Sequence, residues 1–198
     1  MRDQRQIFPT RFHGYNEAVE FSLRDFRQQD FETVWRVDQQ CFAPGISYSR
    51  LDLAEYLRRP RAFSIVAESP QDGRPLRPGK GQLEEYATGV PGSILGFIIA
   101  EAGTRGGGHI ITIDVLPGAR KIGVGSLLLA VVEERLRAAQ CQFVILETAV
   151  DNRGALAFYK THEYHVVRTI PRYYSNGVDA LVLKKDLLSP PGPAKLPQ

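Results

Sequence analysis

Apolar residues recur along this chain in two alternating rhythms. β-branched apolar runs at Ala62–Ala67, Ile94–Ala100 and His109–Leu116 predict strands, and a weaker alternation at Val19–Leu23 predicts a short one before them. Asp30–Cys41 and Ser49–Leu57 have helical spacing, with Asp30 and Ser49 as expected N-caps. Val124–Ala139 sets Val124, Leu127, Leu128, Val131, Val132 and Leu136 on one broad apolar face, which predicts a longer helix. A strand at Phe143–Thr148 and a helix at Asn152–His162 follow. Two strands, Tyr164–Ile170 and Asp179–Leu183, are joined by a turn around Ser175-Asn176-Gly177. The later half alternates strand and helix, so the pattern predicts a mixed sheet with helices on both faces.

Three stretches lack periodicity. Residues 1–18 read as an N-terminal tail, and the proline-rich residues 188–198 as a C-terminal one. Residues 69–92 carry Gly, Pro and mixed charge between two strands and read as a long connection. What remains, 19–187, is expected to be one domain. A length of 198 residues suits that, with 43% hydrophobic and 24% charged residues.

A formal charge of +3 is too small to argue for nucleic acid, although it suits an anionic ligand. The longest apolar run, Leu127–Val132, is far too short to span a bilayer. The first twenty residues hold no apolar core of a secretory signal. Cys41 and Cys141 form no CxxC pair, and no Cys/His ligand spacing exists. We therefore expect a soluble cytoplasmic protein with no metal and no nucleic-acid or membrane partner.

One segment carries chemistry on its own. After strand His109–Leu116 and Pro117 the chain reads Gly118-Ala119-Arg120-Lys121-Ile122-Gly123-Val124-Gly125-Ser126 and then enters the long helix. A glycine-spaced turn at a helix start aims free backbone N–H groups, and the positive end of the helix dipole, at one point. That point favours a diphosphate, with Arg120 and Lys121 at its rim. The spacing lacks the Walker lysine, and Leu128 stands where a dinucleotide fingerprint has its third glycine, so neither NTP nor NAD is favoured. A plain strand–helix turn, with Gly125 present for close packing, is the other reading.

Arg120-Lys121-Ile122-Gly123-Val124-Gly125 resembles the Gln/Arg-x-x-Gly-x-Gly/Ala signature of the Gcn5-related N-acetyltransferases. Leu146-Glu147-Thr-Ala-Val-Asp-Asn152 followed by Ala155-Leu-Ala-Phe-Tyr159 resembles the family's second cofactor segment. Arg172-Tyr173-Tyr174-Ser-Asn-Gly177-Val-Asp179-Ala180 is similar to a narrower pattern, that of the bacterial ribosomal-protein-alanine acetyltransferases and their archaeal and eukaryotic relatives, which acetylate protein N-termini. The resemblance implies an α+β fold with a mixed, mostly antiparallel central sheet. It implies acetyl-CoA as cosubstrate, its diphosphate on residues 120–126, and its carbonyl and pantetheine arm on the backbone of Ile113 and Val115. Two departures stand out. The family's helix-closing glycine is replaced by Glu163, so either Glu163 takes a left-handed cap at a cost of about 1 kcal/mol or the helix ends differently. The loop between the first two helices reads Pro44-Gly-Ile-Ser-Tyr48, where bacterial members often carry a tryptophan.

The same resemblance assigns roles. Glu147 ends an apolar strand, where partial burial suits a general base, and by resemblance it occupies the position of the family's base; without the resemblance the preferred reading is an ion-paired strand end. Tyr159, twelve positions on, is implied as general acid toward the leaving thiolate; alone it reads as a core tyrosine. Asn152 shares a helical face with Tyr159 and either bonds the pantetheine amides or only caps its helix. Tyr173 and Tyr174, expected at a strand end, are implied to line the acceptor groove; otherwise they cover the sheet. The histidines and cysteines show no triad-like spacing and receive no role. The expected acceptor is a protein N-terminal amine, such as that of a ribosomal protein. A lysine ε-amine is about 3 kcal/mol harder to deprotonate at neutral pH. Lysine or small-amine acetylation is the alternative within enzymes, and a non-catalytic acyl-CoA-binding module the alternative outside them.

Overall fold

A strand without polar alternation must be covered on both sides. The computed structural model describes residues 21–42, 45–70 and 92–188 and places two such strands inside a seven-stranded sheet. In chain order the elements are β1 (Ser22–Asp25), α1 (Phe31–Cys41), α2 (Arg50–Arg58), β2 (Ala62–Glu68), β3 (Ile94–Ala102), β4 (Gly107–Val115), α3 (Val124–Ala138), β5 (Phe143–Ala149), α4 (Arg153–Thr161), β6 (His165–Ile170) and β7 (Ala180–Asp186). The sheet order is β1-β2-β3-β4-β5-β7-β6. Only β4 and β5 pair in parallel, so the sheet is mixed and mostly antiparallel, as expected.

Successive residues of β2 and β3 feed opposite faces. Ile65 and Ile98 join the core under α3, with Leu128, Leu129, Val132 and Leu136. Val66, Phe97 and Ile99 join the core under α1 and α2, with Val34, Val37 and Leu53. The period of two therefore explains both the unbroken apolar runs and the helices on both faces.

Some boundaries differ from expectation. β1 starts at Ser22; Val19 and Glu20 lie outside the described residues, as do residues 1–18, 71–91 and 189–198. Ser49 caps α2, its Oγ accepting from the Asp52 N–H at 3.2 Å. Asp30 does not cap α1 in this way. Its carboxylate instead accepts from Arg24 at 2.6 and 3.0 Å and from the Arg27 N–H at 2.7 Å, which shapes the short turn into the helix. Glu163 does close α4 in the left-handed region, at φ 68°, with the Tyr164 N–H returning to the Tyr159 carbonyl at 3.0 Å.

The feature that positions a site is the parting of β4 from β5. Their pairing runs only from Gly107↔Phe143 to His109↔Ile145. Just beyond, β4 bulges: Ile99 pairs Thr112 but Ala100 pairs Ile110, leaving Ile111 unmatched. From there β4 follows β3 as far as Val115, while β5 follows β7 as far as Ala149. A gap opens between the carboxyl ends of two parallel strands, the place where ligands sit in such sheets.

Candidate active site

Backbone groups line one wall of this gap. The Leu116 N–H bonds the Leu95 carbonyl at 2.9 Å, so Thr112, Asp114 and Leu116 direct their peptide groups toward β3. Ile111, Ile113 and Val115 must then direct theirs away from β3, into the gap. Side chains already occupy two of these carbonyls. That of Ile111 accepts from the Tyr48 hydroxyl at 3.3 Å, and that of Val115 accepts from Arg120 Nε at 2.9 Å and from the Cys41 thiol at 3.3 Å. Arg120 thus folds back onto the strand end, where the sequence had placed it at the rim of an anion site.

The loop beyond β4 has the backbone shape of an anion cradle. Lys121 (φ 63°) and Gly123 (φ 98°) are both left-handed, and Gly123 is the N-cap of α3. The first-turn amides of Val124, Gly125 and Ser126 have no carbonyl one turn before them to bond. They point outward together with the dipole of a fifteen-residue helix. Ile122 packs partly into the core, and Lys121 and Ser126 are exposed. Gly125 has a packing role as well: a Cβ there would lie 3.4 Å from the Phe158 ring.

The opposite wall carries the titratable groups. Glu147, paired with Val182 in β7, has a half-hidden side chain whose Oε2 accepts from His109 Nε2 at 2.7 Å. The other nitrogen of His109 lies 3.8 Å from Glu101, which Arg59 in turn approaches at 3.3 Å. A chain of polar contacts, Arg59–Glu101–His109–Glu147, thus runs across three strands to the gap. Sequence reasoning gave His109 no role, because its partner is 38 positions away and only the β4–β5 register brings the two together.

Tyr159 is buried on α4, its ring packed against Phe158 and Tyr164 at 5.3 and 5.4 Å. Its hydroxyl has no hydrogen bond among the described residues, unlike an ordinary core tyrosine. Burial, aided by the charges of Asp114 and Tyr174, pushes its phenol well above the usual range. Asn152 caps α4, Oδ1 accepting from the Ala155 N–H at 3.1 Å, so the capping role is met and its amide nitrogen is left over.

Tyr173 and Tyr174 are not on a strand. β6 ends at Ile170, and the pair lies in the turn before β7, ring edge to ring face at 5.1 Å. The reason is local: the Gly177 N–H bonds the Tyr174 carbonyl at 2.8 Å with Gly177 at φ 82°, which closes a tight turn. Burial and then Tyr173 and Glu147 raise the Tyr174 phenol to about 12; burial and then Glu147 raise Tyr173. Glu147 is therefore near enough to act electrostatically on both phenols. Ser175 Oγ donates to the Gly45 carbonyl at 2.8 Å and ties this turn to the loop between α1 and α2. A separate cleft of 530 Å³, lined by Arg24, Arg27, Arg36 and Leu116, touches none of these groups on the far wall.

Sequence reasoning also missed Tyr48, Asp38 and Asp114. Asp38 Oδ2 accepts the Tyr48 N–H at 2.9 Å, and the Tyr48 carbonyl takes Gln39 and Trp35 at 2.9 and 3.2 Å. Tyr48 is thereby fixed against the β4 bulge. The signal for Asp114 was legible: a carboxylate inside an otherwise apolar run calls for an explanation.

A phosphate-shaped loop, a parted parallel strand pair and a glutamate–histidine pair at the parting are what the comparison with known proteins bears on. Residues 22–164 match the model of the Acetyltransferase (GNAT) family. The chain belongs to that family. It is 32% identical over 172 residues to the uncharacterized N-acetyltransferase MJ1530 of Methanocaldococcus jannaschii, covering 86% of this chain and 95% of that one. It is 31% identical over 188 residues to an N-alpha-acetyltransferase of Sulfurisphaera tokodaii, covering 89% and 99%. Among solved structures, Ard1 from Thermoplasma volcanium superposes with a TM-score of 0.70 at 24% identity, covering 86% of this chain and all of that one. The protein is an N-acetyltransferase of GNAT type. Among the described residues no cluster of three or more His, Cys, Asp or Glu is placed to hold a metal, and no helix is long and apolar enough to cross a membrane.

Proposed function

We propose that this acyltransferase moves the acetyl group of acetyl-CoA to the N-terminal α-amine of a protein, a ribosomal protein among the candidates. The observation that carries the reading is the position of Glu147. It stands at the strand parting, held by His109 and within electrostatic reach of the Tyr173 and Tyr174 phenols. The cradle at residues 120–126 suits the diphosphate of acetyl-CoA, and the outward peptide groups of Ile113 and Val115 suit its carbonyl and pantetheine arm. The N-alpha-acetyltransferase relative supports the acceptor.

The chemistry then divides between the two walls. Glu147, directly or through one water, takes the proton of the α-ammonium, and the freed amine attacks the thioester carbon. His109 holds the carboxylate by donating from Nε2, which fixes its aim. As the C–S bond breaks, the Tyr159 hydroxyl protonates the leaving sulfur. Its raised pKa makes that transfer uphill in water, and the dry surroundings that raise it also disfavour a free thiolate. The bond from Ser175 to the Gly45 carbonyl ties the turn that carries Tyr173 and Tyr174 to the loop between α1 and α2, and an acceptor chain end would lie between them. We place the enzyme in the cytoplasm, where the two thiols, both unpaired, are stable.

The test is turnover with acetyl-CoA against short peptides whose N-termini are free or already acetylated, each with and without a lysine. Free-amine peptides should react and blocked ones should be inert. Equal turnover of blocked, lysine-containing peptides moves the enzyme to the lysine or small-amine class. Binding of acetyl-CoA with no turnover of any amine would make it a sensor of the cofactor.

A further inference from the structure

Four carboxylates are almost wholly buried among the described residues, and they fall into two pairs. Asp30 is met by Arg24 at 2.6 Å, and Glu133 by Lys185 at 2.8 Å and Arg137 at 3.2 Å. Asp38 and Asp114, 0% and 1% exposed, have no Lys or Arg in ion-pair range among the described residues. Asp114 has only the Thr112 hydroxyl, at 3.2 and 3.3 Å. Asp38 Oδ2 is bonded to the Tyr48 and Gln39 N–H groups, while Oδ1 is buried with no hydrogen-bond partner among the described residues. A buried carboxylate without a cation is costly, and a bare acceptor atom adds to the cost.

Both acids adjoin the elements that the reading above gives to the acceptor. Asp114 lies on β4 between Ile113 and Val115, and Asp38 holds the backbone of Tyr48. The groups around them are Cys41 on α1, Tyr48 on the loop, Arg120 after β4 and Tyr159 on α4; Asp114 acts electrostatically on all but Arg120, which acts on it. Among the described residues Arg120 is the one cation that acts on Asp114, and its Nε is already committed to the Val115 carbonyl. The acceptor, on the reading above, brings the charge that is missing. An α-ammonium group, with a pKa near 8, arrives mostly as a cation at neutral pH.

We infer that Asp38 and Asp114 are positioning residues that recognise the acceptor's ammonium group, drawing a cationic chain end into the gap and holding it for Glu147. The inference rests on the N-terminal reading of the acceptor. Burial and the neighbouring Asp38 raise the Asp114 carboxyl well above the usual carboxylate range, which favours its protonated form in the free enzyme. The ammonium ion replaces that proton: R–NH3⁺ settles against the carboxylate and H⁺ leaves to solvent. Binding of a free-amine peptide is thus coupled to proton release, and binding of a neutral, blocked peptide is not.

The experiment uses the full chain saturated with CoA and a short lysine-free peptide, N-terminally free or acetylated. Calorimetry at pH 7 in two buffers of different ionisation enthalpy counts protons released. The wild type should release a sizeable fraction of one proton with the free peptide and none with the blocked one. Asp114→Asn should abolish the release and raise the peptide KM about 10-fold, leaving kcat and the KM for acetyl-CoA nearly unchanged. Asp38→Asn, which keeps an acceptor for the Tyr48 N–H, should raise the peptide KM by a smaller factor. Unaltered proton release and peptide KM in Asp114→Asn would overturn the inference. Should that variant not fold, absence of proton release in the wild type overturns it equally. A wild type that fails to distinguish the free from the blocked peptide sinks the N-terminal reading itself, whereas discrimination kept intact in both variants sinks only the role of the two acids.

Discussion

Glu133 and Asp114 are both buried acids beside the same sheet, and they are treated in opposite ways. Glu133, on α3, collects Lys185, Arg137 and the Tyr164 hydroxyl at 2.8, 3.2 and 3.1 Å. Asp114, on β4, has a single threonine hydroxyl. The first arrangement is closed and cross-links α3 to β7. The second is open and lies beneath the parting of β4 and β5. The difference shows where the fold invests in stability and where it accepts instability for the sake of a ligand.

The largest effect should come from the closed region. Glu133→Ala strands Lys185 and Arg137 without a counter-charge and should cost about 3–5 kcal/mol of folding free energy. Urea unfolding measures it, and a loss under 1 kcal/mol would mean that the network is not a structural anchor. The open region should respond in the other direction. Burial raises the Asp38 carboxyl to about 6, above its unfolded value. A raised acid stabilises below the unfolded pKa and loses that contribution as pH climbs through the folded one. Between pH 4 and pH 7 the stability of Asp38→Asn relative to wild type should therefore improve, by about 3 kcal/mol at most. A pH-independent difference would show that Asp38 does not titrate in the fold.

Catalytic losses sharpen the contrast further. Tyr159→Phe keeps the ring against Phe158 and Tyr164 and removes the unbonded hydroxyl. It should lower kcat by about 10²-fold with little change in stability. Unchanged kcat, with chemistry limiting, would make the tyrosine structural. The smallest effect is expected at His109, which holds Glu147 without touching substrate. His109→Ala should lower kcat by about 10-fold and His109→Gln, which retains a donor, by less. Equal losses in the two variants would argue against a hydrogen-bonding role.

Much of this was legible from local pattern. Every element from α1 to β7 was expected within a few residues, because the apolar period of β2, β3 and α3 is set by the faces they bury. The left-handed cap at Glu163 was one of two endings that the sequence allowed, and the structure adopts it. Tyr173 and Tyr174 were misplaced by a few residues, because a tight turn at Gly177 overrode the strand preference of paired tyrosines.

The sequence by itself determined the parts whose physics is local: the helix and strand periods, the caps, and the glycine-spaced start of α3 with its free amides. Only the tertiary structure decided which charges meet. Glu147 finds His109 because β4 and β5 pair for three residues and then part. Asp38 comes to lie under Tyr48 and near Asp114 because α1 packs on the face that Phe97 and Ile99 present. Those encounters depend on strand register and on which side of the sheet each helix covers, and no spacing along the chain encodes either until the core has closed.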